Sequence, residues 1–205
     1  MAMLQKKVLK STAVLAVLLA VCLLLTGCGS EPPETSLRDF TESLLKMDSA
    51  GLEKFGVKKD MKAEGVKAIS EGIRESAGNM LTEADSKAIA EAFVTKFAEL
   101  QVKEVKTESK SGSEARVSVT LDKVTVKMPE QVPQEVQIRT EQAKSVEDLS
   151  AIIRDVLVQV VKEAPKDGTI TLTVDCELNK GKHIWLPKDI EKFTSDLLEK
   201  AIDTK

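Results

Sequence analysis

The chain predicts an α+β fold: N-terminal helices packed on a curved antiparallel sheet of about four strands, a helix inserted between two hairpins, and a closing C-terminal helix. Three observations carry this. Apolar residues recur at helical spacing through the first half of the chain. The period then changes to two at about residue 102 and again at about residue 170, with a strongly apolar helical stretch between. Segregated helices and hairpins, without alternating strand–helix units, argue against a parallel sheet.

The elements follow in order. Lys6, Lys7 and Lys10 precede an uncharged apolar run, Ala13–Leu25, which ends in Leu25-Thr26-Gly27-Cys28. A basic start, a short apolar segment and small residues before a cleavage point make a signal peptide over residues 1–27. The apolar run has thirteen residues, short of the roughly 20 that a spanning helix requires. Residues 28–35 form a cysteine and polar tether that Pro32 and Pro33 keep extended; at about 3.3 Å per residue, 29–35 reach some 20 Å. One domain then fills 36–205.

Ser36 and Asp39 have the spacing of a capping box, with Leu37, Phe40, Leu44 and Met47 following on one face of a helix over about 36–47. For residues 57–79, Met61, Ala68, Ile69, Ile73 and Met80 can share a helical face, though Gly65 and Gly72 each cost about 1 kcal/mol of helix propensity. Thr82 and Asp85 open the next helix, with Ala88, Ile89, Ala92, Phe93, Phe97 and Leu100 in one stripe.

Val102 and Val105 begin an extended run that turns at Ser111-Gly112-Ser113. Val117, Val119 and Leu121 alternate with polar residues, and the phase slips at Asp122-Lys123 before Val124, Val126 and Met128. Such a slip predicts a β-bulge. Pro129 and Pro133 mark a loop. Ser145 and Asp148 open a helix over 145–164 whose apolar positions (149, 152, 153, 156, 157, 158, 160, 161) cover most of its circumference. That predicts cover on two sides, from the sheet and from the C-terminal helix. Ile170, Leu172, Val174, Cys176 and Leu178 alternate with Thr171, Thr173, Asp175 and Glu177. Asn179-Lys180-Gly181-Lys182 then turns into His183-Ile184-Trp185-Leu186, and Pro187 opens a last helix carrying Ile190, Phe193, Leu197, Ala201 and Ile202.

Composition narrows the function classes. Loss of 1–27 removes three lysines and no acid, taking the formal charge from −3 to −6. Basic residues are scattered among acids, so nucleic acid is excluded as a partner. Of three cysteines, Cys22 leaves with the signal and Cys28 stands at its end. Cys176 alone remains, and no disulfide can form within the chain. One His, one Trp and no Tyr leave few groups for chemistry. A hydrolytic Ser or Cys needs a histidine base nearby, and a zinc site needs a ligand cluster. His183 has the right titration range but lies on the polar phase beside a turn. Asp175 and Glu177 lie on the strand face opposite the core face, and Trp185 reads as packing. Glu147 and Asp148 serve a helix N-terminus. No catalytic, cofactor or metal residue is assigned.

Leu25-Thr26-Gly27-Cys28 resembles the lipobox of bacterial lipoproteins, which implies diacylglyceryl attachment to Cys28 and a place on the outer face of the cell membrane. Two acyl chains anchor stably. The lipobox, the element order and the Asn179-Lys180-Gly181-Lys182-His183-Ile184-Trp185 segment are together similar to uncharacterised Gram-positive lipoproteins with a nuclear-transport-factor-2-like (cystatin-like) domain. That resemblance implies a sheet wrapped around helices as a cone, and ligand or partner binding without cofactor. Two alternatives stay open: a small isomerase- or hydrolase-type enzyme, and an envelope structural or transporter-accessory protein.

Overall fold

The computed structural model describes residues 30–57, 60–127 and 134–204. The signal segment, Cys28, Met128 and the Pro129–Pro133 loop lie outside them. The helices are α1 (Pro33–Leu45), α2 (Ser49–Glu53), α3 (Met61–Ala77), α4 (Glu83–Ala98), α5 (Gln134–Gln142), α6 (Val146–Glu163) and α7 (Ile190–Ala201). The strands are β1 (Val102–Ser111), β2 (Glu114–Val126), β3 (Lys166–Asn179), β4 (Ile184–Pro187) and β5 (Ile202–Thr204).

The fold is α+β. The sheet runs β1-β2-β3-β4, antiparallel throughout, and β5 adds to β2 in parallel. It remains open and is not closed into a barrel. Alternation decides the register: Val117 lies opposite Val174 and Val119 opposite Leu172, so one face of β2 and β3 is continuously apolar. Val117, Val119, Leu121 and Val124 are all fully buried. α1 and α7 cover that face, with Phe40 in edge contact with Phe55 at 5.1 Å and 6.1 Å from Phe193.

The phase slip at Asp122-Lys123 is a break in the β2–β3 register between Asp122 and Val124. It turns the Asp122 carboxylate into a buried position. There it accepts from Gln101 N at 3.1 Å and meets Lys103 Nζ at 2.9 Å and Lys166 Nζ at 3.7 Å. A buried charge persists only with such partners.

Both capping boxes after residue 80 form: Thr82 with Asp85, and Ser145 with Asp148. The one proposed at Ser36 does not. α1 begins three residues earlier, at Pro33, because Pro32 and Pro33 hold the backbone geometry of a helix start. Ser36 is buried instead, accepting from Trp185 N at 3.1 Å and donating to Glu31 at 2.7 Å. Glu31 N donates to His183 O at 2.8 Å. The expected tether over 29–35 is therefore cut short, since the chain is docked from Glu31. Pro187 closes β4, and Asp189 caps α7. α5 occupies part of the stretch expected to be loop.

The largest departure is α6. Its C-terminal half reaches the core through Val161, Val158 and Val160. Its main partner is α4, however, and neither the sheet nor α7 packs along it as the apolar pattern predicted. Val146 stays 63% exposed, and Leu149 and Ile153 36% each.

Candidate functional site

Where α6 and α7 fail to close on each other, the helices leave an apolar cavity of about 630 Å³. α3 supplies Ile69, Gly72, Ile73, Ser76 and Ala77, a set at helical spacing on one face. α4 supplies Phe93, Val94 and Phe97. Leu157 of α6 and Leu198 of α7 both line the space, and Met47, Leu81 and Ile202 complete the wall. The volume falls within the roughly 300–1,000 Å³ typical of ligand pockets.

The chemistry of the wall is uniform. No lining side chain is titratable. The Ser76 hydroxyl already donates to Gly72 O at 2.9 Å, so it offers only residual accepting capacity. Gly72 has open space where a side chain would stand: a Cβ there would meet nothing within 4 Å. Met47 turns the chain at the end of α1 with φ 49°, a left-handed value rare outside glycine. It packs with Ile69 and Ile73 against Val66, Ala90 and Val94, the small cluster that joins α3 to α4.

A polar network fastens α6 to α4. Asp85 is buried, and it accepts from Thr82 and from Ser150 Oγ, each at 2.5 Å, and from Arg154 Nη1 at 3.0 Å. Burial alone would raise the Asp85 pKa; the bonds from Ser150 and Thr82 and the Arg154 charge outweigh it and hold the carboxyl below its ordinary value. Arg154 also pairs with Asp155 at 2.7 Å, and Arg139 of α5 reaches Asp155 at 2.9 Å. The hydrogen bond from Arg139, followed by that from Arg154, pulls the Asp155 pKa down. The chain of charges α4–α6–α5 thus sets the position of the cavity wall carrying Leu157.

A second, larger space of about 780 Å³ between α3 and α4 is charged with both signs, including Lys67, Glu71, Arg74 and Glu83. Its pairs are long and exposed, Lys67–Glu71 at 3.9 Å and Arg74–Glu83 at 4.0 Å. It has the character of solvated surface.

None of the residues weighed from the sequence lines the apolar cavity. His183 is exposed at φ 56°, and its part is played by its backbone carbonyl. Cys176 is fully buried, and desolvation, with Asp175 adding to it, pushes its thiol pKa up to about 12. Asp175 and Glu177 are exposed on the outer face of β3. Trp185 is fully buried, with Lys110 Nζ 5.1 Å from its ring, and its indole N–H has no acceptor. Cys28 lies outside the described residues. Among the described residues no group of three or more His, Cys, Asp or Glu could hold a metal ion, and no helix is long and apolar enough to cross a membrane. The stripes that build the cavity were present in the sequence as Ile69/Ile73, Phe93/Phe97 and Leu157; that they would face one space was not.

No protein-family model and no curated protein matches the chain. Among solved structures it is similar to ycdA, a candidate lipoprotein of Bacillus subtilis, with a TM-score of 0.59 and 18% identity. The match covers 83% of this chain and 56% of ycdA, so the chain spans a little over half the length of that protein. At this identity the likeness is one of fold.

Proposed function

We propose that the chain is an extracytoplasmic lipoprotein, anchored to the outer face of the cell membrane through Cys28, whose domain binds a small apolar ligand in the cavity between α3, α4, α6 and α7. The anchor rests on the Leu25–Cys28 motif, and the fold shared with a candidate lipoprotein accords with it. The binding assignment rests on one observation: a cavity of about 630 Å³ walled by aliphatic and aromatic side chains, with no titratable group. General acid–base chemistry needs such a group within hydrogen-bond reach of the reacting atoms, so the lining favours binding over the isomerase or hydrolase reading. The nuclear-transport-factor-2-like resemblance would place a ligand against the concave sheet; here the available space is among the helices.

The test is uptake of N-phenyl-1-naphthylamine, which fluoresces in apolar surroundings. The wild-type chain is expected to show saturable fluorescence, and Gly72→Trp, whose ring would project into the cavity, to lose it. Equal uptake by the two proteins would refute the site.

A further inference from the structure

Resting on the binding reading above, we propose that the ligand is a lipid with a single long acyl chain, whose hydrocarbon fills the cavity and emerges along α6 while its headgroup stays in water. Three features of the structure lead there. Beyond the cavity, an exposed apolar surface continues along α6 from its lining residue Leu157. Ile153 and Leu149 continue the same side of α6 at intervals of four, and Val146 follows at three, all partly exposed. From Leu157 to Val146 the helix rises about 16 Å. The apolar surface leading from the cavity is therefore long.

Volume then limits the occupant. At about 30 Å³ per heavy atom, the share a water molecule takes in the liquid, about 630 Å³ holds some twenty carbons. That is one long chain and not two. The lining also gives a headgroup little to bind: no lining side chain is titratable, and Ser76 is already a donor to Gly72 O.

A protein partner fits less well. The large apolar side chains exposed among the described residues, Met80, Ile138, Val146, Leu149, Ile153 and Leu198, fall far short of the roughly 20–30 residues a side of a stable protein interface. The position of the domain favours a lipid. α1 runs its 13 residues, about 20 Å, from beside the docked Glu31 to Leu45, two residues before the cavity residue Met47. Anchored at Cys28, the cavity stays within a few tens of ångströms of a bilayer.

The experiment uses the full chain in phosphatidylcholine nanodiscs and photolabelling with palmitic acid bearing a diazirine near its methyl end. A phosphatidylcholine with the same diazirine chain serves as the second probe. The fatty-acid probe is expected to label Ile73, Phe93, Leu157 or Leu198 at least about tenfold more than the phospholipid probe, a difference of about 1.4 kcal/mol. Gly72→Trp should abolish that labelling, and Lys180→Trp, in the exposed turn after β3 and outside the cavity lining, should keep it. Replacing the carboxylate by an alcohol should change labelling by less than about twofold, below 0.5 kcal/mol. Equal cavity labelling by phospholipid, or loss of labelling with the alcohol, overturns the single-chain assignment. Cavity residues left unlabelled by the fatty acid also overturn it; if N-phenyl-1-naphthylamine still binds and is still lost in Gly72→Trp, the binding site stands without it. If that dye too is indifferent to Gly72→Trp, the site itself fails.

Discussion

Arg154 on α6 donates from Nη1 to Asp85 Oδ1 on α4 at 3.0 Å, joining two helices whose residues are 69 apart in the chain. Together with Ser150 on the same aspartate, this contact decides where Leu157 stands and so the width of the cavity. Asp85→Ala removes the acceptor for four donor groups of three residues, Thr82, Ser150 and Arg154, and leaves Ser150 buried. Urea denaturation is expected to show a loss of about 1–3 kcal/mol, with dye uptake in the cavity falling as well. A loss below about 0.5 kcal/mol would place the network at the level of an ordinary surface contact.

The same carboxylate gives the protein an acid limb. Its folded-state pKa lies below its ordinary value, so its contribution is full above about pH 4 and is lost as pH falls through the folded value. Asp155, also depressed, acts in the same direction. Asp85→Asn should make the stability profile flatter below pH 4, as measured by thermal melts across the acid range. An unchanged slope would remove Asp85 from this role.

Cys176 behaves oppositely. Burial raises its thiol to about 12, against roughly 8.5 for a free cysteine. The neutral thiol is favoured in the folded state, so its contribution is intact below about pH 8.5 and declines as pH rises from there toward 12. Native protein should react with a maleimide only at the rate at which it unfolds, and urea should accelerate labelling. Immediate labelling at neutral pH would contradict the burial.

Much of this was legible beforehand. Five alternating residues from Ile170 to Leu178 made β3 unmistakable, and the capping pairs Thr82/Asp85 and Ser145/Asp148 located two helix starts to the residue. The register break at Asp122 appeared as a shift of phase. Local signals fell short where tertiary contacts decide. Ser36 had the right spacing for a cap but was recruited by Trp185 N. β5 is three residues long and exists through pairing with Val124–Val126. The apolar breadth of α6 is visible in the sequence, but cover on two sides does not form: one side meets α4, and another is left to face a cavity and solvent. No single helix carries that information, because Met47, Ile73, Phe93, Leu157 and Leu198 come from five separate segments.

Gly72 separates cavity from scaffold. It lies within α3, and its absent Cβ has no neighbour within 4 Å. Gly72→Ala should therefore raise stability by about 1 kcal/mol through helix propensity. A destabilised Gly72→Ala, read by the denaturation midpoint, would mean that α3 is tighter there than the structure has it.

The anchor has its own test. Cys28→Ala should yield a protein lacking the diacylglyceryl mass and released from the membrane, whereas the wild-type mature chain should begin at a modified Cys28. Mass spectrometry of the N-terminus checks both, and an unmodified cysteine in the wild type would remove the lipoprotein reading.

The most direct test of the central claim is native mass spectrometry of the chain purified from its own membranes, wild type beside Gly72→Trp. The covalent lipid at Cys28 would be common to the two. The wild type is expected to carry an additional noncovalent mass that is released on denaturation and extracts into organic solvent, and Gly72→Trp to lack it. Identical native spectra for the two proteins would contradict a ligand-binding cavity among α3, α4, α6 and α7.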